Sequence, residues 1–123
     1  MSAPTSPWPE QLDAVIAAPE HHHILLENAI VRVLETKILP GETVKLHTEK
    51  WPTAIYFLSI GHFVRRDEQG NVVVDTRQTP DNTKAGDAVW SPPIAPHTLE
   101  NVGSTVIHVI SVGVKSDAAK PES

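Results

Sequence analysis

Apolar and polar residues alternate with a period of two through most of the chain, in short runs rich in Val, Ile and Thr that are bounded by Gly, Pro and Asn. The pattern predicts strands over residues 24–26, 31–39, 42–48, 55–60, 62–67, 72–76, 87–91, 97–101 and 105–114. Gln69-Gly70-Asn71 is a hairpin signal between two of them, and Asn101-Val102-Gly103-Ser104 joins the last two. Only residues 11–17 read as helix, with Leu12, Val15 and Ile16 on one face and Pro19 ending it. Ahead of it, residues 1–9 carry three prolines and read as an extended arm, and residues 116–123 read as a flexible tail. The expectation is an all-β antiparallel sandwich or barrel over residues 24–115, preceded by an arm and short helix over residues 1–23.

Composition narrows the chemistry. A length of 123 residues with 40% apolar and 20% charged positions suits one folded domain with its own core. The net charge of -5 and the lack of any Lys/Arg cluster argue against a nucleic-acid partner. No apolar stretch of ~18 residues exists to span a membrane, and the N-terminus lacks the basic and apolar regions of a signal peptide, so the expected location is the cytoplasm. Without any Cys, disulfides, thiolate nucleophiles and Cys-based metal sites are excluded, and a metal here must rest on His and carboxylates. No phosphate loop, no nucleophile elbow and no H-E-x-x-H helix is present.

Two Gly-His blocks stand out, one from Gly41 through His47 to Gly61, the other from Gly86 through Pro92 and His97 to Asn101. Their spacing resembles the two motifs of the cupin superfamily. Gly41, His47 and Gly61 fall on the first Gly, first His and closing Gly of the first motif, and Gly86, Pro92, His97 and Asn101 match the second, with Ile94 where its inner Gly stands. The resemblance implies a cupin-type double-stranded β-helix, a jelly-roll barrel of the RmlC-like kind, with a pocket around His47 and His97. Cupins usually hold a metal with three His and one Glu. Here Glu49 replaces the second His of the first motif, and the Glu of that motif falls on Thr53 or Ala54.

Residues two apart on a strand share a face, so Lys45, His47 and Glu49 are expected to project into the barrel together, and His97, Leu99 and Asn101 likewise. Of the family's metal set the resemblance leaves His47 and His97, with Glu49 as the third candidate, two imidazoles and a carboxylate of the kind that leaves open positions on Fe, Mn, Ni or Zn. The alternative is that Glu49 lies in the turn before Pro52 and faces water, leaving a metal-free pocket. Lys45, His47, Tyr56, Trp90, His97 and Leu99 are the expected pocket lining, with Tyr56 and Trp90 as amphipathic walls and Lys45 as a group for an anionic ligand. Three functions stay open: a small-molecule-binding protein, a metal-dependent enzyme of dioxygenase or isomerase type using His47, Glu49 and His97, or an accessory dimer whose barrel is only a scaffold.

Val44, Leu46 and Thr48 would then form an apolar outer face, from which a homodimer is expected. His21, His22 and His23 are read as surface residues, because alternate members of a strand point to opposite sides and cannot build one site together. Arg65, Asp67, Asp75 and Arg77 are read as charge pairs on a solvated face.

Overall fold

In the computed structural model, residues 6–115 are described; the tail over residues 116–123 and the start of the arm lie outside them. All nine predicted strands form: β1 (His22–Glu27), β2 (Val31–Ile38), β3 (Thr43–Glu49), β4 (Thr53–Ser59), β5 (Phe63–Asp67), β6 (Val72–Asp75), β7 (Ala88–Ser91), β8 (Ile94–Asn101) and β9 (Ile107–Val114). They make two antiparallel sheets with strand orders β1-β2-β9-β4-β7 and β3-β8-β5-β6. The β5–β6 hairpin turns at Gly70, whose φ of 87° is the left-handed backbone that glycine adopts without strain. The turn after Asn101 departs from expectation. It carries the chain from one sheet to the other, because β8 pairs with β3 and β5 while β9 pairs with β2 and β4.

The two sheets face each other over Ile38, Val44 and Ile107, with Ile60, Phe63, Leu99 and Val109 packed against them. Asn101 ties the layers together. Its Nδ2 donates to the carbonyls of Ile38 and Thr105, both at 2.9 Å, and its Oδ1 accepts from the Gly103 amide at 3.0 Å.

The N-terminal segment is shorter and differently faced than its periodicity suggests. A 3-10 turn (Glu10–Leu12) and a four-residue helix α1 (Ala14–Ala17) flank Asp13. Ala14 and Ala18 are the fully buried positions, while Ile16 is 52% exposed. Asp13 decides this arrangement: its carboxylate accepts two hydrogen bonds from Arg32 on β2, each 2.9 Å long, deep in the structure. The segment also bridges to β3 at Thr48, whose hydroxyl donates to the Leu12 carbonyl. No helix among the described residues is long and apolar enough to cross a membrane.

This packing corrects the expected outer face of β3. Val44 is buried inside the sandwich, and Thr48 is covered by the N-terminal segment. An apolar row lies instead on the outside of the five-stranded sheet, where exposed Leu26 and Trp90 flank half-buried Val33, Val112 and Ala54 as successive cross-strand partners on all five strands.

Candidate functional site

The site forms where the edge strands β1 and β3 of the two sheets meet. His47 and His97 are direct partners across the β3–β8 ladder, and their rings lie 4.3 Å apart between centroids. An irregularity in that ladder sets which residues of β3 face inward. Val44 pairs with Leu99 and His47 with His97, so three steps along β3 match two along β8. One extra residue on β3 flips the alternation. Val44, His47 and Glu49 line the interior, and Lys45 turns to solvent, where its ammonium pairs with Glu20 at 2.9 Å. Lys45 therefore does not belong to the pocket.

A third imidazole comes from β1. His22 pairs in register with Thr36 on β2, which points its ring inward, 4.8 Å from that of His47 and only 6% exposed. The three consecutive histidines share no one site, but alternation along the strand sends His21 and His23 one way and His22 the other, so His22 is not the surface residue expected of it. His21 instead pairs with Glu42 at 3.3 Å.

Glu49 closes the group. It faces inward, with its Oε2 3.1 Å from His47 Nε2 and 3.7 Å from His22 Nε2. One ligand atom from each of His22, His47 and Glu49 lies within 4.8 Å of the others. Each of the three imidazoles is held by its other nitrogen: Nδ1 of His22, His47 and His97 meets the carbonyls of Ala18, Lys45 and Ala95 at 3.0, 2.7 and 2.7 Å. A carbonyl only accepts, so each Nδ1 carries the proton and each Nε2 is left as a lone-pair donor unless it is also protonated. A lone pair 3.1 Å from a carboxylate oxygen is repulsive, so His47 and Glu49 call for a cation between them, either a second proton on the ring or a metal ion.

The electrostatics are set by burial. Burial, and then the charge of His47, push His97 down to about 4, so its imidazole is neutral near neutral pH. Burial also lowers His22, outweighing the pull of the Glu49 charge. For Glu49, burial raises the carboxyl, but the His47 hydrogen bond and the neighbouring imidazoles outweigh it and keep the group ionised. A neutral His22 imidazole and an ionised Glu49 carboxylate are protonation states that suit a divalent cation.

The group opens into a cavity of about 270 Å³ between the sheets, just below the usual range of ligand sites (~300–1,000 Å³). Of the expected lining, His47, His97 and Leu99 are there. Tyr56 and Trp90 are not. They point out of the five-stranded sheet, 45% and 62% exposed, because Thr53, Ile55 and Phe57 take the inward positions of β4 and Val89 and Ser91 those of β7. The aromatic walls are Phe57 and Phe63. Arg65, expected on a solvated face, also lines the cavity, whereas Asp67 caps the β5–β6 hairpin and Asp75 pairs with Arg77.

No protein-family model and no curated protein matches the sequence. Solved structures do match. A cupin-domain protein of Bordetella pertussis superposes with a TM-score of 0.61 at 17% identity, over 76% of this chain and 91% of that one. An RmlC-like cupin-family protein with a double-stranded β-helix fold from Methanocaldococcus jannaschii gives 0.55 at 16% identity, over 76% and 78%. A conserved protein with a double-stranded β-helix domain from Klebsiella pneumoniae gives 0.54 at 21% identity, over 80% and 78%. At these identities the likeness speaks for architecture, and it agrees with the two-sheet topology: this chain has the cupin double-stranded β-helix fold.

Proposed function

We propose that the protein is a metal-dependent cupin-fold protein acting on a small molecule, with a divalent cation held by His22, His47 and Glu49, His97 beside it, and the ligand in the adjoining cavity. The observation that carries this reading is the convergence of His22, His47 and Glu49 within 4.8 Å, with each imidazole fixed through Nδ1 on a backbone carbonyl. Protein carbonyls that orient imidazoles and fix their tautomer are the usual support of a His metal site. Such a donor set leaves open positions, where Fe, Mn, Ni or Zn would polarise or activate a bound molecule. The chain's own part is to keep Nε2 of His22 and His97 unprotonated, hold Glu49 ionised, and surround the ligand with the apolar walls of the cavity.

A metal-free binding pocket is the competing reading, in which a doubly protonated His47 pairs with Glu49. Elemental analysis separates the two. Protein purified without metal-affinity resin, after growth in medium supplemented with Fe, Mn, Ni and Zn, should carry close to one divalent metal per chain, and His22→Ala and Glu49→Gln should each lose most of it. Less than about a tenth of a metal per wild-type chain would sink the metal reading. Retention of full metal content by His22→Ala would show that the third imidazole takes no part.

A further inference from the structure

Among the described residues, Arg65 is the only Lys or Arg that lines the cavity. It sits in the middle of β5, paired with Leu99 of β8 on one side and Val74 of β6 on the other. Its neighbours are neutralised: Arg66 pairs with Glu100 at 2.9 Å and Arg77 with Asp75 at 3.0 Å. Arg65 forms no ion pair among the described residues, and its Nε is buried without a hydrogen-bond partner. Burial pushes its pKa down and only the charge of Glu49 pushes back, yet a guanidinium remains protonated in any such setting. A desolvated cation with unused donors is costly unless an anion completes it.

The two other charged side chains that line the cavity among the described residues do not fill that role. Glu49 is engaged by His47 and His22. Asp81 is exposed at the rim and accepts the Thr83 amide at 2.8 Å. The cavity also offers apolar lining, to which Phe63, Leu99, Ile38 and Ile107 contribute.

We propose that the cavity takes a small carboxylate with an apolar body, its carboxylate hydrogen-bonded by the Arg65 guanidinium and its body packed among Ile38, Phe63, Leu99 and Ile107. This rests on the reading that the cavity beside His22, His47 and Glu49 is the ligand site. One planar guanidinium matches one carboxylate in charge and in fork geometry. A phosphate carries further oxygens and charge that a single guanidinium fork does not match.

Calorimetric titration of the full chain with 3-methylbutanoate, its neutral amide 3-methylbutanamide, and inorganic phosphate tests the assignment. The carboxylate should bind saturably and at least about tenfold more tightly than the amide. Arg65→Met should remove that preference, and Arg65→Lys should weaken carboxylate binding without abolishing it. Equal binding of acid and amide by the wild type, preference for phosphate, or no saturable binding of the acid up to about 50 mM overturns the proposal, and none of these needs a variant to fold. Metal content is measured on the same samples. Metal-free wild type with Arg65-dependent carboxylate binding sinks the metal reading alone, and metal-loaded protein that does not distinguish acid from amide sinks this one alone.

Discussion

The buried pair Asp13–Arg32 offers the sharpest test of how the N-terminal segment is held against the barrel. Replacing Asp13 by Asn keeps the shape and one acceptor but leaves the Arg32 guanidinium, 5% exposed, without its counter-charge. Lys50, with its ammonium 3.7 Å from Asp13, adds a second cation to the same spot. Removing one partner of a buried, doubly hydrogen-bonded pair costs about 3–5 kcal/mol. The unfolding entropy of ~2.1 cal/mol/K per residue turns this into a fall in Tm of roughly 10–20 °C for a chain of this size. Thermal melts followed by circular dichroism at pH 7 measure it. The sign of the pH dependence follows from Asp13: burial raises its carboxyl, but Arg32 and Lys50 more than offset this and leave it below the ordinary 3.8. A depressed carboxylate stabilises the fold above the unfolded value and loses that contribution as pH falls toward the folded one. The gap between wild type and Asp13→Asn should therefore be full above about pH 5 and close as the pH drops below the ordinary carboxylate range. A fall in Tm under about 4 °C at pH 7, or a gap that stays constant down to low pH, would refute the role given to this pair.

Asn101→Ala removes one hydrogen bond across the layers to Ile38 and two within the turn at Gly103 and Thr105, and leaves their backbone groups unpaired. It should cost about 2–4 kcal/mol in urea unfolding with the slope unchanged, and a loss below about 1 kcal/mol would mean water takes over these bonds. The apolar row from Leu26 to Trp90 across the five-stranded sheet is expected to stack on the same row of a second copy, since an isologous contact needs one self-complementary face. Light scattering should then give twice the 13.4 kDa chain mass, and Trp90→Glu should shift it toward the monomer. A wild-type monomer at high concentration would remove this face as an interface.

Sequence alone determined the strands. Period-two alternation and the Gly, Pro and Asn breaks mark all nine, because each strand's alternation is local and a half-buried strand must express it. The Gly-His spacings likewise placed His47 and His97 where two strands meet, and the register made them partners. Tertiary structure decided which face of each strand the cavity sees. One extra residue in β3 relative to β8 sent Lys45 outward and kept Val44 with His47, and nothing local in the sequence marks that irregularity. Pairing of β1 with β2 turned His22 inward, and the inward set of β4 excluded Tyr56 in favour of Phe57. Arg65 reads in sequence like Arg66, which pairs with Glu100, and differs in facing the interior. Alternation gives two possible faces for every strand. Choosing between them takes the contacts of the opposite sheet, which belong to residues far away in the chain.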